Sequence, residues 1–184
     1  LLVVATCLVY SPVWHHEFLQ YDDYSYVAGN ARIQQGLTWE NVKWSLTAFE
    51  QALWKPVTLL SHMLDCQLFG LNPTGHLLMN LLIHVVNVIL LLVVLYLMTG
   101  AFWPSALVAA LFALHPLNVE SVAWVAERKN VFSTLFWLLT LWAYLGYVRR
   151  PNWRRYLVVL AALVLGLMPK PSLGTLTFVL LRLA

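Results

Sequence analysis

Long apolar runs alternate with polar segments along this chain, and the apolar runs predict helices that cross a membrane. A helix needs about 20 predominantly apolar residues to cross the hydrocarbon core of a bilayer. The runs predict spans at about residues 1–13, 73–98, 102–114, 131–148, 156–168 and 173–184. We therefore expect an all-α fold, a polytopic bundle of membrane helices that forms a single domain over residues 1–184.

The long polar segment between the first two spans contains three amphipathic pieces. Asp22 or Asp23 can cap a first helix that runs to Gln35, Thr38 can cap a second, and Pro56 can begin a third. Apolar residues share one face of the second helix at Trp39, Val42, Leu46, Phe49 and Leu53, and of the third at Leu60, Met63, Leu64 and Leu68. Amphipathic helices of this kind lie flat in the membrane interface.

Composition agrees with a membrane protein and excludes a soluble domain. The chain is 61% hydrophobic and 10% charged, with a mean hydropathy of +0.73. A net charge of +3 without a basic stripe does not favour nucleic-acid binding. Cys7 lies in an apolar run and Cys66 in a polar loop, which indicates neither a disulfide nor a metal site. Because both ends fall inside apolar runs, we expect a fragment of a larger membrane protein.

Four arginines flank a short turn and set the expected orientation. They are Arg149, Arg150, Arg154 and Arg155. Short basic loops face the cytoplasm, so alternation of the spans places residues 14–72, 115–130 and 169–171 on the outer side. This assignment collects all eight acids and all six histidines on the outer side or in the outer half of a helix. A polar pocket is therefore expected at the outer face.

The pair Asp22-Asp23 is the first candidate for catalysis, just after the first span and next to His15, His16 and Glu17. Adjacent carboxylates repel each other and raise one pKa, which suits a general base. The alternative is that the pair is a helix cap and a solvated loop charge.

A second candidate is a polar stripe on the predicted span at residues 73–98. It consists of His76, Asn80, His84 and Asn87. Unpaired polar groups in hydrocarbon cost several kcal/mol, so the stripe must face protein or a wet cavity. For Asn80 and Asn87 we favour hydrogen bonds between helices. His76, nearest the outer surface, is a candidate for lining a substrate site.

A third group of polar residues lies between residues 115 and 130, and a fourth candidate is Lys170 at another outer turn. The group contains His115, Glu120, Glu127, Arg128 and Lys129. Arg128 and Lys129 suit a phosphate from the lipid headgroup layer, although a salt-bridged anchor explains them equally well. Lys170 alone is more typical of a snorkelling anchor. No spacing of ligands indicates a metal site, and phosphate-binding glycine loops and serine-hydrolase elbows are absent from the sequence.

Several segments together resemble the GT-C class of membrane glycosyltransferases. They are Tyr21-Asp22-Asp23 with Asn30, Trp54-Lys55-Pro56-Val57-Thr58, Leu68-Phe69-Gly70-Leu71-Asn72-Pro73 with His76, Asn80 and His84, His115-Pro116 with Glu120 and Arg128, and Lys170-Pro171 ahead of Thr175-Leu176. Within that class the chain is similar to protein O-mannosyltransferase-like proteins that carry tetratricopeptide repeats behind their membrane helices. The missing sequence is expected to contain more spans and a repeat pattern of about 34 residues.

The resemblance implies a donor, an acceptor and a base. The donor is a polyprenyl-phosphate sugar, and the acceptor is a hydroxyl, often of a protein serine or threonine. Asp22 or Asp23 would deprotonate that hydroxyl at the outer membrane face. The bilayer, the lipid-linked sugar and an acceptor protein or glycan are the expected partners, with no nucleic acid. No cofactor is indicated, and a divalent metal is allowed but not indicated.

The resemblance also implies how the phosphate is held. Arg128, with Lys129 or Lys170, would stabilise the phosphate leaving group, since cations stabilise developing phosphate charge. His115 and Glu120 would shape the pocket. Where relatives carry an arginine before Pro-x-Thr, this chain has a lysine, which weakens a phosphate contact assigned to that position.

Two further classes of function were compared with an enzyme. A catalytically silent membrane anchor for a repeat-containing interaction domain would keep the fold without the activity. A transporter would place polar residues near the bilayer midplane, whereas here the ionisable residues cluster at the outer ends. Tight loops favour a bacterial plasma membrane over the endoplasmic reticulum.

Overall fold

The computed structural model describes residues 1–20, 22–49 and 54–169, and these residues are helical with short connections and no β-strand. The α-helices are α1 (Leu2–Val9), α2 (Ala31–Gln34), α3 (Trp39–Thr47), α4 (Pro56–Phe69), α5 (Pro73–Thr99), α6 (Phe102–Leu114), α7 (Leu117–Ala123), α8 (Arg128–Arg149) and α9 (Trp153–Leu167). Short 3₁₀ segments cover Ser11–His15 and Val125–Glu127, and a π-helical turn covers Tyr24–Ala28. The all-α expectation is confirmed.

Two helical stretches are long and apolar enough to cross a membrane, Pro73–Thr99 and Val125–Arg149. The axes of α6 and α7 meet at a bend of 62°, and the two helices form a third candidate crossing if they are counted together as one broken span. The predicted spans at 73–98 and 131–148 are therefore present, the second beginning several residues earlier than predicted. α9 has 15 residues and is not among the candidate spans. The predicted span at 173–184 lies outside the described residues.

The first loop is built from shorter helices than the sequence pattern predicted. The helix expected from Asp22 or Asp23 to Gln35 is interrupted at Gly29, after the π-helical turn. Asn30 begins a new helix there, because its side chain accepts hydrogen bonds from two backbone N–H groups of α2. Thr38 caps α3 as predicted, accepting from the N–H of Asn41.

The apolar face of α3 is turned away from the protein. Trp39 and Leu46, both on the predicted stripe, are 72% and 49% exposed, whereas Asn41 and Ser45 are buried. The Asn41 amide donates to two backbone carbonyls of the preceding turn, so the polar face packs inward. An outward apolar face suits a helix that lies on a membrane surface.

α4 begins at Pro56 and ends before Gly70, as predicted, but its buried face carries polar residues beside Leu59 and Met63. The polar members are Thr58, His62 and Asp65. Leu64 and Leu68 of the predicted stripe are instead exposed. Cys66, expected in a polar loop, is buried within α4.

α5 is the central helix and packs against α1, α4, α6 and α8. Its polar stripe joins it to its neighbours through backbone carbonyls. Asn80 and Asn87 donate to the carbonyls of Trp124 and Val131 at 3.0 and 2.9 Å. His84 Nε2 lies 3.2 Å from a carbonyl at the end of α6. The prediction of hydrogen bonds between helices for the two asparagines is confirmed.

Candidate functional site

Asp23 joins the first loop to the segment between α7 and α8. Its side chain is buried. One carboxylate oxygen accepts a hydrogen bond of 2.8 Å from the backbone N–H of Ala126, and the other accepts one of 3.0 Å from that of Leu19. The carboxylate therefore fixes the start of the first loop against the end of the bundle where α8 begins.

The pKa of the Asp23 carboxyl is raised above its ordinary value. Burial is the main cause, the two backbone hydrogen bonds act in the opposite direction, and the charge of Asp22 makes a smaller contribution that raises the pKa. The prediction of a raised pKa within the aspartate pair is confirmed in direction. Desolvation, rather than repulsion between the two carboxylates, is its principal cause.

Asp22 differs from its neighbour in being only half-buried. A cleft of about 570 Å³ opens beside the segment that leads into the pair. Residues 15–20 and Ala123 line it. This volume lies within the range of small-molecule sites, about 300–1,000 Å³. Neither aspartate lines this cleft, but Asp22 follows Gln20, one of the lining residues, by two positions.

Two lysines approach the ring of Tyr26, three residues after Asp23. Lys55 Nζ is 3.2 Å from the ring centroid and Lys129 Nζ is 5.9 Å from it. A cation over an aromatic face is stabilised by the ring quadrupole. Lys55 is buried, and Lys129 also pairs with Glu127 at 2.6 Å. Positive charge is therefore gathered at the ring of Tyr26.

Arg128 lies at the centre of a buried polar network. Its guanidinium forms an ion pair with Asp65 and donates to Asn80 Oδ1 at 2.7 Å, to the His76 carbonyl at 2.6 Å and to Ser61 Oγ at 3.3 Å. The side chain is fully buried. This arrangement does not favour the predicted phosphate contact of Arg128, because its donors are taken up by protein acceptors.

A cluster of two imidazoles and one carboxylate adjoins this network. His76 Nδ1 lies 3.3 Å from Asp65 Oδ2, and the rings of His62 and His76 are 6.0 Å apart. Burial, followed by the nearby charge of Arg128, lowers the pKa of His62 well below its ordinary value. His62 is therefore neutral at physiological pH. His76 is buried in this cluster and does not line an open site as predicted.

The other predicted site residues lie apart from this network. His115 is exposed after α6, where its Nδ1 accepts from the N–H of Leu117 at 3.2 Å. Glu120 is exposed in the first turn of α7. Their predicted role in shaping a pocket stays a prediction. Lys170 lies outside the described residues.

Sequence reasoning missed the roles of Lys55, His62 and Asp65. Asp65 pairs with a residue 63 positions away, which local spacing cannot reveal. His62 and Asp65 share a helix face at a spacing of three, but the sequence pattern predicted only that the apolar stripe of this helix lies in the membrane interface and did not identify the partners of its polar face. For Lys55, the available signal was a charge directly before Pro56 in an otherwise apolar and aromatic context.

Comparisons with known proteins agree with this architecture. Residues 56–184 match the family described as dolichyl-phosphate-mannose-protein mannosyltransferase. Protein O-mannosyl-transferase Tmtc2 of Drosophila melanogaster is 32% identical over 142 residues, which cover 73% of this chain and 15% of the relative. Human protein O-mannosyl-transferase TMTC1 is 29% identical over 161 residues, covering 81% of this chain and 18% of the relative.

The chain thus spans less than a fifth of the length of these relatives. No solved structure matches it. The relatives are animal proteins and give the expected bacterial plasma membrane no support. Because the family match extends over most of its length, this membrane chain belongs to the dolichyl-phosphate-mannose-protein mannosyltransferase family.

Proposed function

We propose that this chain is the membrane part of a glycosyltransferase that moves a sugar from a polyprenyl-phosphate donor to a serine or threonine hydroxyl of an acceptor protein. The family match and the names of the relatives support a transferase rather than a catalytically silent anchor. The observation that carries the proposal is an aspartate pair, fixed through Asp23, that follows the lining of a cleft by two residues, with Lys129 near the ring of Tyr26.

The two aspartates have different roles in this proposal. Asp23 is a positioning residue, since both of its oxygens already accept backbone N–H groups. Asp22 is the base, because it is the more accessible member of the pair and follows the cleft. A general base must come within hydrogen-bond reach of the proton that it removes. The Asp23 carboxylate is less suited to this role, because both of its oxygens already accept hydrogen bonds.

The reaction exchanges one bond to the anomeric carbon for another. The acceptor oxygen forms a bond to that carbon as the bond to the donor phosphate oxygen breaks, with inversion. The hydroxyl proton passes to Asp22, and the electron pair of the broken bond leaves with the polyprenyl phosphate. Lys129, which is half-buried and lies near the ring of Tyr26, stabilises the charge that develops on this phosphate. The outward apolar face of α3 lies against the bilayer, where the lipid tail of the donor remains.

The outer membrane face remains the proposed location of the reaction. The arginine turn between α8 and α9 supports it through the positive-inside rule. The compartment beyond that face, periplasmic or luminal, does not alter the chemistry.

The test measures sugar transfer by the full-length protein in membranes, with a polyprenyl-phosphate mannose donor and an acceptor peptide. Asp22→Asn is expected to lower kcat by about 100- to 10,000-fold, the usual contribution of a general base. Asp23→Asn is expected to lower activity together with thermal stability, as a positioning residue should. Glu40→Gln, which changes an exposed acid of α3, is the matched control and should transfer at the normal rate.

Two outcomes contradict different parts of the proposal. Full transfer by Asp22→Asn at normal protein level removes this residue from the mechanism. Absence of transfer by the unmodified protein with every polyprenyl-phosphate sugar tried favours the silent anchor.

A further inference from the structure

His62, Asp65 and His76 bring three metal-binding side chains to one buried point. A ligand atom from each lies within 4.8 Å of the other two. All three residues are at most 1% exposed. A tetrahedral ion with bonds of about 2.0–2.2 Å holds its ligand atoms roughly 3.3–3.6 Å apart, so side-chain shifts of about 1 Å bring this set onto an ion.

The hydrogen-bonding capacity of His62 is unused. Neither of its ring nitrogens has a hydrogen-bond partner among the described residues. A buried polar group without a partner destabilises the folded state, so native proteins rarely keep one that serves no purpose. His62 lies on the same face of α4 as Asp65, three residues away, and its ring faces that of His76.

The orientation of His76 is that of a metal ligand. Its Nε2 lies 3.1 Å from the carbonyl oxygen of Gly70, which can only accept, so Nε2 carries the proton. In the neutral ring, Nδ1 then presents a lone pair, and it points at Asp65 Oδ2 from 3.3 Å. Metal-bound histidines commonly donate their other N–H to a backbone carbonyl.

Asp65 has one oxygen to spare. Arg128 binds Oδ2, whereas Oδ1 is buried and has no hydrogen-bond partner among the described residues. The ion pair keeps the carboxylate in place before any ion arrives. Oδ1 is therefore the oxygen left for an ion, and Arg128 would act as the outer partner that orients the ligand.

We propose that His62, Asp65 and His76 bind a divalent transition-metal ion of the zinc type. Two imidazole nitrogens and one carboxylate oxygen are a ligand set that zinc favours, with a fourth position left for water. Magnesium and calcium prefer sites made only of oxygen. The ion links α4 of the first loop to the membrane helix α5, so it stabilises the junction on which the loop rests.

The test uses the full-length protein, purified with a tag that contains no histidine, stripped with a chelator and dialysed against zinc chloride. Bound zinc is measured by elemental analysis, and cobalt absorption reports tetrahedral coordination. His62→Gln should lower zinc affinity by more than about 100-fold, since even loss of an outer-shell partner costs about 10- to 100-fold. His84→Gln is the matched control. His84 is also a buried histidine of α5, but its hydrogen bond joins it to a backbone carbonyl at the end of α6 and not to the proposed metal site.

We expect the unmodified protein and His84→Gln to bind one zinc more per chain than His62→Gln. Zinc should also raise the melting temperature of the unmodified protein, because a ligand that binds the folded state stabilises it. Equal zinc content in all three proteins, or an unmodified protein whose melting temperature does not respond to zinc, overturns the proposal. The melting experiment needs no variant, so it decides the matter even if His62→Gln fails to fold.

Discussion

Replacing Arg128 by methionine should destabilise the protein strongly, because it leaves Asp65 as an unpaired buried charge. Both side chains of the ion pair are essentially inaccessible to solvent. Removal of one partner from a buried ion pair costs about 3–5 kcal/mol. Domain stabilities are about 5–15 kcal/mol, so this single change removes a large share of the total.

A second substitution separates the charge effect from loss of packing. Combining Arg128→Met with Asp65→Leu removes the orphaned carboxylate, and replacement of a whole buried pair by apolar residues is often neutral. The double variant should therefore recover most of the loss. It retains a cost of about 1–3 kcal/mol, because the His76 carbonyl no longer receives its hydrogen bond from the arginine.

The assay is unfolding in mixed detergent micelles, followed by tryptophan fluorescence, with a chelator present so that bound metal does not contribute. The two single variants and the double variant complete a thermodynamic cycle. A coupling energy below about 0.5 kcal/mol, within the additivity of independent sites, would refute the buried ion pair as a stabilising unit.

Two further predictions concern the first turn of α5 and the aspartate pair. Gly75→Ala should destabilise the protein by about 1–3 kcal/mol, because the added Cβ would clash with the side chain of Phe69. Gly146→Ala in α8 is the control: its Cβ meets nothing within 4 Å, so it should stabilise the helix by up to about 1 kcal/mol in the same melting experiment. The raised pKa of Asp23 means that the folded state binds its proton more tightly than the unfolded state, so this residue should lower stability as pH rises from below the ordinary value of 3.8 through the raised pKa. Asp23→Asn should remove this pH-dependent loss of stability from the profile of melting temperature against pH. A profile that is the same in the variant and the unmodified protein would contradict the raised pKa of Asp23.

The membrane helices were predictable because their signal is local. An apolar run of the right length must form its own backbone hydrogen bonds in a bilayer, so residues 73–98 could be read directly as a helix. Asn80 and Asn87 could likewise be assigned to contacts between helices, since hydrocarbon offers no other partner. Thr38 and Pro56 marked helix starts by their own chemistry.

The inward face of the first-loop helices could not be predicted by the same reasoning. The apolar pattern predicts which face meets the membrane interface, as in α3, where the outward face carries Trp39 and Leu46, but it does not predict which polar residues meet on the opposite face. In α4 the buried Asp65 pairs with Arg128, which lies on another helix. His76, one ligand of the proposed metal site, likewise lies on a second helix, α5. The spacing of residues along the chain therefore predicted no metal site.

Cysteine chemistry in the native chain makes the topology directly measurable. Cys66 is buried, and burial together with the adjacent Asp65 raises the pKa of its thiol to about 11, so it should react slowly at neutral pH. Cys7 is exposed and is replaced by alanine, as is any reactive cysteine elsewhere in the full-length protein. New cysteines introduced by substitution then report on their own positions.

The proposed site requires Asp22 and Arg150 to face opposite aqueous compartments. Asp22→Cys and Arg150→Cys are therefore labelled separately in sealed membrane vesicles of known orientation, with a maleimide that does not cross membranes. We expect one of the two cysteines to react in the sealed vesicles and the other to react only after permeabilisation. Reaction of both cysteines from the same side would place Asp22 in the same compartment as the arginine turn. That result would contradict the proposed site.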